Sequence, residues 1–145
     1  MSGSLDVPRV LAIDPGARRV GLAVSDPLGI TAQGLTTFDR RRDGDLVTRL
    51  REIVDEYGVV RVVVGHPLSL AGRETDSTRA AMELAAELRD ALGLPVDMWD
   101  ERLSSAEAQR TLAGSRADKG AIDRLAAVLI LQGYLDAHRR DRPEP

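Results

Sequence analysis

The stretch Arg9-Val10-Leu11-Ala12-Ile13-Asp14-Pro15-Gly16 decides how this chain is read. A short apolar run ends abruptly on a carboxylate, and Pro15-Gly16 turns the chain straight afterwards. A run of this length, closed by turn residues, reads as a buried strand rather than a helix. Its terminal acid then stands at the carboxyl edge of a sheet, where open α/β sheets hold their ligands. Asp-Pro-Gly is also a good turn in its own right, so Asp14 alone leaves turn chemistry and function evenly balanced.

Working outward, Val20 to Ser25 alternates small and branched residues and closes in the turn Asp26-Pro27-Leu28-Gly29, and Thr31 to Phe38 gives a third, more polar strand. Connections this short predict an antiparallel meander. After Phe38 the period changes: Leu46, Leu50, Ile53, Val54 and Tyr57 recur at helical spacing, with Gly58 as the stop. Val59 to Val64 is a branched apolar run of strand length, Ser77 to Leu92 a helix ending before Gly93, and Pro95 to Trp99 a short strand. Ser104 with Glu107 forms a capping box that opens a helix through about Leu112. A last helix, from Lys119 to His138, carries Ile122, Leu125, Ala126, Leu129, Ile130 and Gly133 on one stripe. A meander followed by crossovers predicts an α/β fold with a five-stranded mixed sheet, three antiparallel strands and then parallel ones, flanked by helices. Residues 1–138 are expected to form one domain, with 139–145 a charged, proline-bearing tail that frays.

The chain has 145 residues, 43% hydrophobic and 30% charged, which is the balance of an ordinary globular domain. It contains no cysteine, which excludes a disulfide framework, a thiolate zinc site and a cysteine nucleophile. The N-terminus lacks the basic start and apolar run of a secretory signal, and no stretch approaches a membrane span. A soluble, cytoplasmic protein is expected. The formal net charge of −3 argues against a polyanionic partner, but carboxylates that hold metal are neutralised locally, and the distribution of charge outweighs its sum. Lys119 is the only lysine; the other basic residues are arginines, which suit bidentate phosphate contacts but also follow from genomic base composition.

Three acidic positions stand at element ends. Asp14 closes the first strand, Asp100-Glu101 closes the last, and Asp123 opens the final helix beside apolar neighbours. Each has a plain alternative: a turn, a solvated pair before a helix, a favourable charge at a helix N-terminus. Carboxylates that converge from different segments are costly without a cation, and hard oxygen ligands suit magnesium or manganese. Two such ions, about 3.5–4 Å apart, activate a water and stabilise the leaving oxygen of an in-line phosphoryl displacement. His66, in Gly65-His66-Pro67-Leu68, is expected to be structural more readily than substrate-binding, and His138 to compensate a helix C-terminus. Arg40-Arg41-Arg42 reads as a solvated run able to steer a phosphate backbone. Phe38, Tyr57, Trp99 and Tyr134 are too scattered along the sequence for a base-stacking platform.

Four ordered segments resemble the YqgF family, also called RuvX-type Holliday junction resolvases. They are Ala12 to Asp26; Val63-Val64-Gly65-His66-Pro67-Leu68 with Gly72; Asp100 to Ala108; and Lys119 to Ala127. The resemblance spans Val10 to Leu135 and implies an RNase H-like fold with metal-dependent hydrolysis of phosphodiesters, using magnesium or manganese as a two-ion cofactor. By position it implies Asp14, Glu101 and Asp123 as the acidic, metal-holding triad, with Asp100 a competing ligand. It places Arg18, Arg19, Arg102 and Lys119 at basic positions that meet phosphates. His66 stands where the family commonly has leucine, and Arg18 where it often has lysine. The implied partner is structured nucleic acid, either the precursor of small-subunit ribosomal RNA, whose 5′ end would be processed, or branched DNA. The chain would act as a monomer or homodimer, and a junction resolvase would need two paired sites.

Two other classes compete. A sugar-kinase-like or actin-like ATPase also places Asp-x-Gly and a basic residue after its first strand, but it needs a second domain and a second phosphate loop that this chain lacks. A nucleic-acid-binding module without catalysis would keep the basic residues but have no need of all three acids.

Overall fold

The computed structural model describes residues 8–16, 18–66, 76–100 and 119–139, with side chains in the last segment described for residues 124–138. The capping-box helix expected over 104–112 and the tail beyond 139 lie outside these residues.

Three strands, β1 (Arg9–Asp14), β2 (Arg19–Ser25) and β3 (Ala32–Asp39), form the expected meander. Helix α1 (Leu46–Tyr57), strand β4 (Val59–His66), helix α2 (Asp76–Leu92), strand β5 (Val96–Asp100) and helix α3 (Lys119–Arg139) follow. The sheet order is β3-β2-β1-β4-β5, with β1 in the middle. β1 pairs antiparallel with β2 and parallel with β4, β2 antiparallel with β3, and β4 parallel with β5. Every strand ends within a residue or two of its expected bounds. β4 overshoots most, running on to His66, which pairs with Asp100 of β5.

Local chemistry explains the element ends. The Asp45 carboxylate caps α1 by accepting from the Thr48 N–H at 2.9 Å and the Thr48 hydroxyl at 2.8 Å. Gly58 ends α1 in the left-handed conformation, φ 67°, and donates its N–H to the Val54 carbonyl. The buried Ser25 hydroxyl oxygen accepts the Val10 N–H at 2.9 Å, so the last residue of β2 satisfies the β1 backbone with its side chain.

Both faces of the sheet are covered, which is why β1 reads as a continuous apolar run rather than an alternation. Leu11 and Ile13 of β1, with Val20, Leu22, Val24, Val62 and Val64, pack under α1 and α2 through Leu50, Ile53, Leu84 and Leu88. Val10 and Ala12, with Ala23 and Val63, pack under α3 through Ala126, Ala127, Ile130, Leu131 and Leu135.

The stripe that α3 buries differs from the expected one. Ala127, Leu131, Tyr134 and Leu135 are buried, whereas Leu125 is 41% exposed and Leu129 only partly buried. The helix is apolar around much of its circumference, so spacing alone does not select the face. The sheet selects it.

Candidate active site

The ends of β1, β4 and β5 and the starts of β2 and α3 gather at one edge of the sheet. Because β1 alternates faces, Asp14 continues the series Val10, Ala12 and lies on the face that α3 covers. It is 5% exposed. Directly opposite it on β2 is Gly21, which carries no side chain.

The same parity sets Asp100 apart from Asp14. Asp100 shares its face with Val96 and Met98, which pack under α1 and α2. His66 shares that face with Val62 and Val64. Asp14 is therefore on one face of the edge, and His66 and Asp100 on the other. The His66 Nε2 is buried and has no hydrogen-bond partner among the described residues. That fits a residue packed beneath the edge better than one presented to substrate.

Asp123 is the fifth residue of α3, four residues before buried Ala127. Lys119 opens the same helix. The side chains of Asp123 and Lys119, and all of Glu101 and Arg102, lie outside the described residues. Among the described residues, Asp14 is thus the one member of the expected triad whose side chain is placed, and no group of three His, Asp or Glu side chains stands close enough to hold a metal.

The turn behind Asp14 is held from two sides. A side chain at Gly16 would overlap the backbone carbonyl of Arg19, so the chain folds back this tightly only through glycine. Arg40 donates its backbone N–H to the Arg18 carbonyl at 2.8 Å and its Nε to the Gly16 carbonyl at 3.1 Å. Asp39 ties the two loops together: it accepts the Arg41 N–H at 2.9 Å and faces the Arg18 Nε at 3.4 Å. The Arg41 N–H bond first, and then the Arg18 charge, hold the Asp39 carboxyl below its ordinary value against the opposing effect of burial. The Arg40-Arg41-Arg42 run is thus partly spent on structure.

Beside this clasp, on the α3 face, is a groove of ≈ 360 Å³ lined by Arg18, Arg19, Thr36, Thr37, Arg42 and Arg124, with Asp39. Of the arginines expected from sequence, Arg18, Arg19 and Arg42 are here, while Arg102 lies outside the described residues; Arg124 and the two threonines were not expected. On the far side of the Asp14 turn is a larger cleft of ≈ 500 Å³, where Asp76, Glu83 and Glu87 face Arg40. The groove favours a polyanion and the cleft opposes one.

The aromatic residues, scattered in sequence, do meet in space. Trp99 packs edge-on to Tyr134 at 5.7 Å between centroids, and Tyr134 stacks on His138 at 4.0 Å. His138 Nδ1 lies 2.9 Å from the Tyr134 carbonyl in the last turn of α3, the expected place for a C-terminal partner. Tyr134 is 7% exposed, so the cluster is a core contact and not a stacking platform.

A mixed sheet in this order, with a buried acid ending its middle strand and a helix crossing that acid's face, is the RNase H-like fold. The chain matches RuvC of Thermus thermophilus, solved "in complex with Holliday junction substrate", with a TM-score of 0.59 at 17% identity, covering 92% of this chain and 96% of that one. The family profile described as "RuvX: Holliday junction resolvase" matches residues 8–137, and the chain belongs to this family. A relative from Koribacter versatilis is 50% identical over 141 residues, covering 94% of this chain and 92% of the relative. One from Geobacillus kaustophilus is 44% identical over 137 residues, covering 90% and 99%. Both carry the name "Putative pre-16S rRNA nuclease". No helix among the described residues is long and apolar enough to cross a membrane.

Proposed function

We propose that this chain is a divalent-metal-dependent endonuclease of structured nucleic acid, and that its substrate is the precursor of 16S ribosomal RNA, cut toward the mature 5′ end. The observation that carries the reading is the buried carboxylate of Asp14, at the end of the middle strand, on the same face as a groove lined by four arginines. The names of the relatives at 50% and 44% identity support the choice of RNA. The family description supports branched DNA as a second substrate.

The donor set fits a hard cation: Asp14, Glu101 and Asp123 offer carboxylate oxygens, and the chain has no cysteine to favour a soft metal. When bound, magnesium or manganese supplies an activated water and neutralises charge on the leaving oxygen. The chain itself orients the reaction. Asp14 is held by its pairing with Gly21 of β2, the Gly16 turn sets where the chain leaves it, and Arg18 and Arg19 line the groove across Gly21. Face parity favours Glu101 over Asp100 as the partner of Asp14, because Asp100 continues the series on the opposite face.

The test is competition between substrates. With manganese present, the protein is expected to cut a labelled ribosomal precursor RNA near its mature 5′ end and to prefer it over a four-way DNA junction. Cutting confined to the junction would overturn the choice of RNA.

A further inference from the structure

The register of α3 on β3 is fixed by two contacts. Gln132 accepts the Ala32 N–H at 3.0 Å, and a Cβ on Gly34 would lie 3.4 Å from Val128 and 3.9 Å from Arg124. Going backward along the helix is therefore going forward along the strand. Four helix residues rise about 6 Å and two strand residues about 6.8 Å, so the two elements stay in step. The next turn brings Arg124 alongside Thr36 and Thr37, where the groove forms.

β2 supplies the other wall. Arg19 shares the α3 face with Gly21 and Ala23, and Gly21 pairs with both Asp14 and Thr37. Strands lie about 4.8 Å apart, so the groove begins roughly 10 Å from Asp14, on the same face and across Gly21. That is the separation of neighbouring phosphates along a strand, or slightly more, rather than of two oxygens of one phosphate.

The charge in the groove is cancelled only in part. Arg18 is paired with Asp39, and Arg42 with Asp43 at 2.9 Å. Arg19 and Arg124 have no ion pair among the described residues. Four guanidinium groups are thus opposed by two carboxylates, Asp39 and Asp43, beside the threonines and toward the N-terminal end of a long helix.

Resting on the nuclease reading above, we infer that Arg42 and Arg124 form a backbone clamp that holds the phosphodiester strand flanking the scissile phosphate, one or two nucleotides from the bond cut at Asp14. The clamp reads charge and spacing, not bases: no aromatic side chain lines it among the described residues. It fixes which strand of a structured substrate lies across the sheet edge.

The test is the salt dependence of binding to a fluorescent RNA duplex with a single-stranded extension, measured without divalent metal so that nothing is cut. Each phosphate contact adds about 1 to the slope of log K against log salt. Arg124→Ala and Arg42→Ala should each lower that slope by about 1, the double variant by about 2, and Arg124→Lys should restore the slope lost in Arg124→Ala. Both positions are on the surface, and an unchanged melting temperature confirms that the fold survives. Wild-type slopes in both alanine variants would overturn the clamp while leaving the nuclease reading intact. A wild-type protein that binds no structured nucleic acid at about 50 mM salt would overturn both.

Discussion

Gly16 and the backbone carbonyl of Arg19 meet so closely that no side chain fits between them. The contact joins the turn that follows Asp14 to the first residue of β2, and Arg40 closes it from outside through the Gly16 carbonyl at 3.1 Å. The acid and the arginine beside it are thus set by one tight turn. Gly16→Ala is expected to push these two segments apart, at a cost of about 1–3 kcal/mol for overpacking against backbone. Cleavage should fall by more than the stability loss explains, since Asp14 and Arg19 both shift. Denaturant unfolding and cleavage rates on the same variant check this; a variant with wild-type stability and rate would remove the turn from the account.

The turn around Asp39 makes the fold sensitive to acid. Asp39 is held below its ordinary value by Arg41 N–H and Arg18, Asp43 chiefly by its bond with Arg42, and Asp45 chiefly by the Thr48 hydroxyl. A carboxyl whose folded value is depressed contributes stability that is present above the unfolded value, 3.8, and is lost as pH falls through the folded one. The melting temperature is expected to drop as pH falls below about 4, and Asp39→Asn to flatten that acid limb. Identical acid limbs in the two proteins would contradict the role given to Asp39.

At the far edge of the sheet, Tyr134 donates its hydroxyl to Asp97 at 2.9 Å, and Arg61 meets the same carboxylate at 2.8 Å. Burial first, and the Asp97 bond and charge next, push the Tyr134 hydroxyl up to about 12. Raised above its unfolded value of about 10, it contributes stability that is complete below pH 10 and disappears as pH rises through about 12. Tyr134→Phe should cost about 1–2 kcal/mol at neutral pH. It should also remove the late phase of an alkaline absorbance titration; a titration unchanged by the substitution would place the raised hydroxyl elsewhere.

Much of this was legible in the sequence because local signals and tertiary structure agree. An apolar run cut off by Asp14-Pro15-Gly16 can hardly be anything but a strand delivering an acid to an edge. Gly58 and Asp45 bound α1 by chemistry that needs no partner from elsewhere. What could not be read depends on contacts distant in sequence. Asp39 and Arg18 are 21 residues apart, and nothing in Phe38-Asp39-Arg40 announces that the acid serves the first loop. The buried stripe of α3 was misplaced by about one residue because Leu125 and Leu129 are as apolar as the residues that pack. That small rotation matters, since it sets which positions near the helix start flank the groove. Arg124 looked like one arginine among many until Gly34 and Gln132 fixed the register. The face that Asp100 takes follows only from knowing which face Val96 and Met98 occupy.

Whether Asp14 is a metal-holding catalytic acid is decided by cleavage of the ribosomal precursor RNA with manganese by wild type and Asp14→Asn. The wild type is expected to cut and the variant to have lost cutting. The variant should remain folded and bind the RNA, but lose the rise in melting temperature that manganese gives the wild type. An Asp14→Asn protein that still cuts at the wild-type rate would contradict the account.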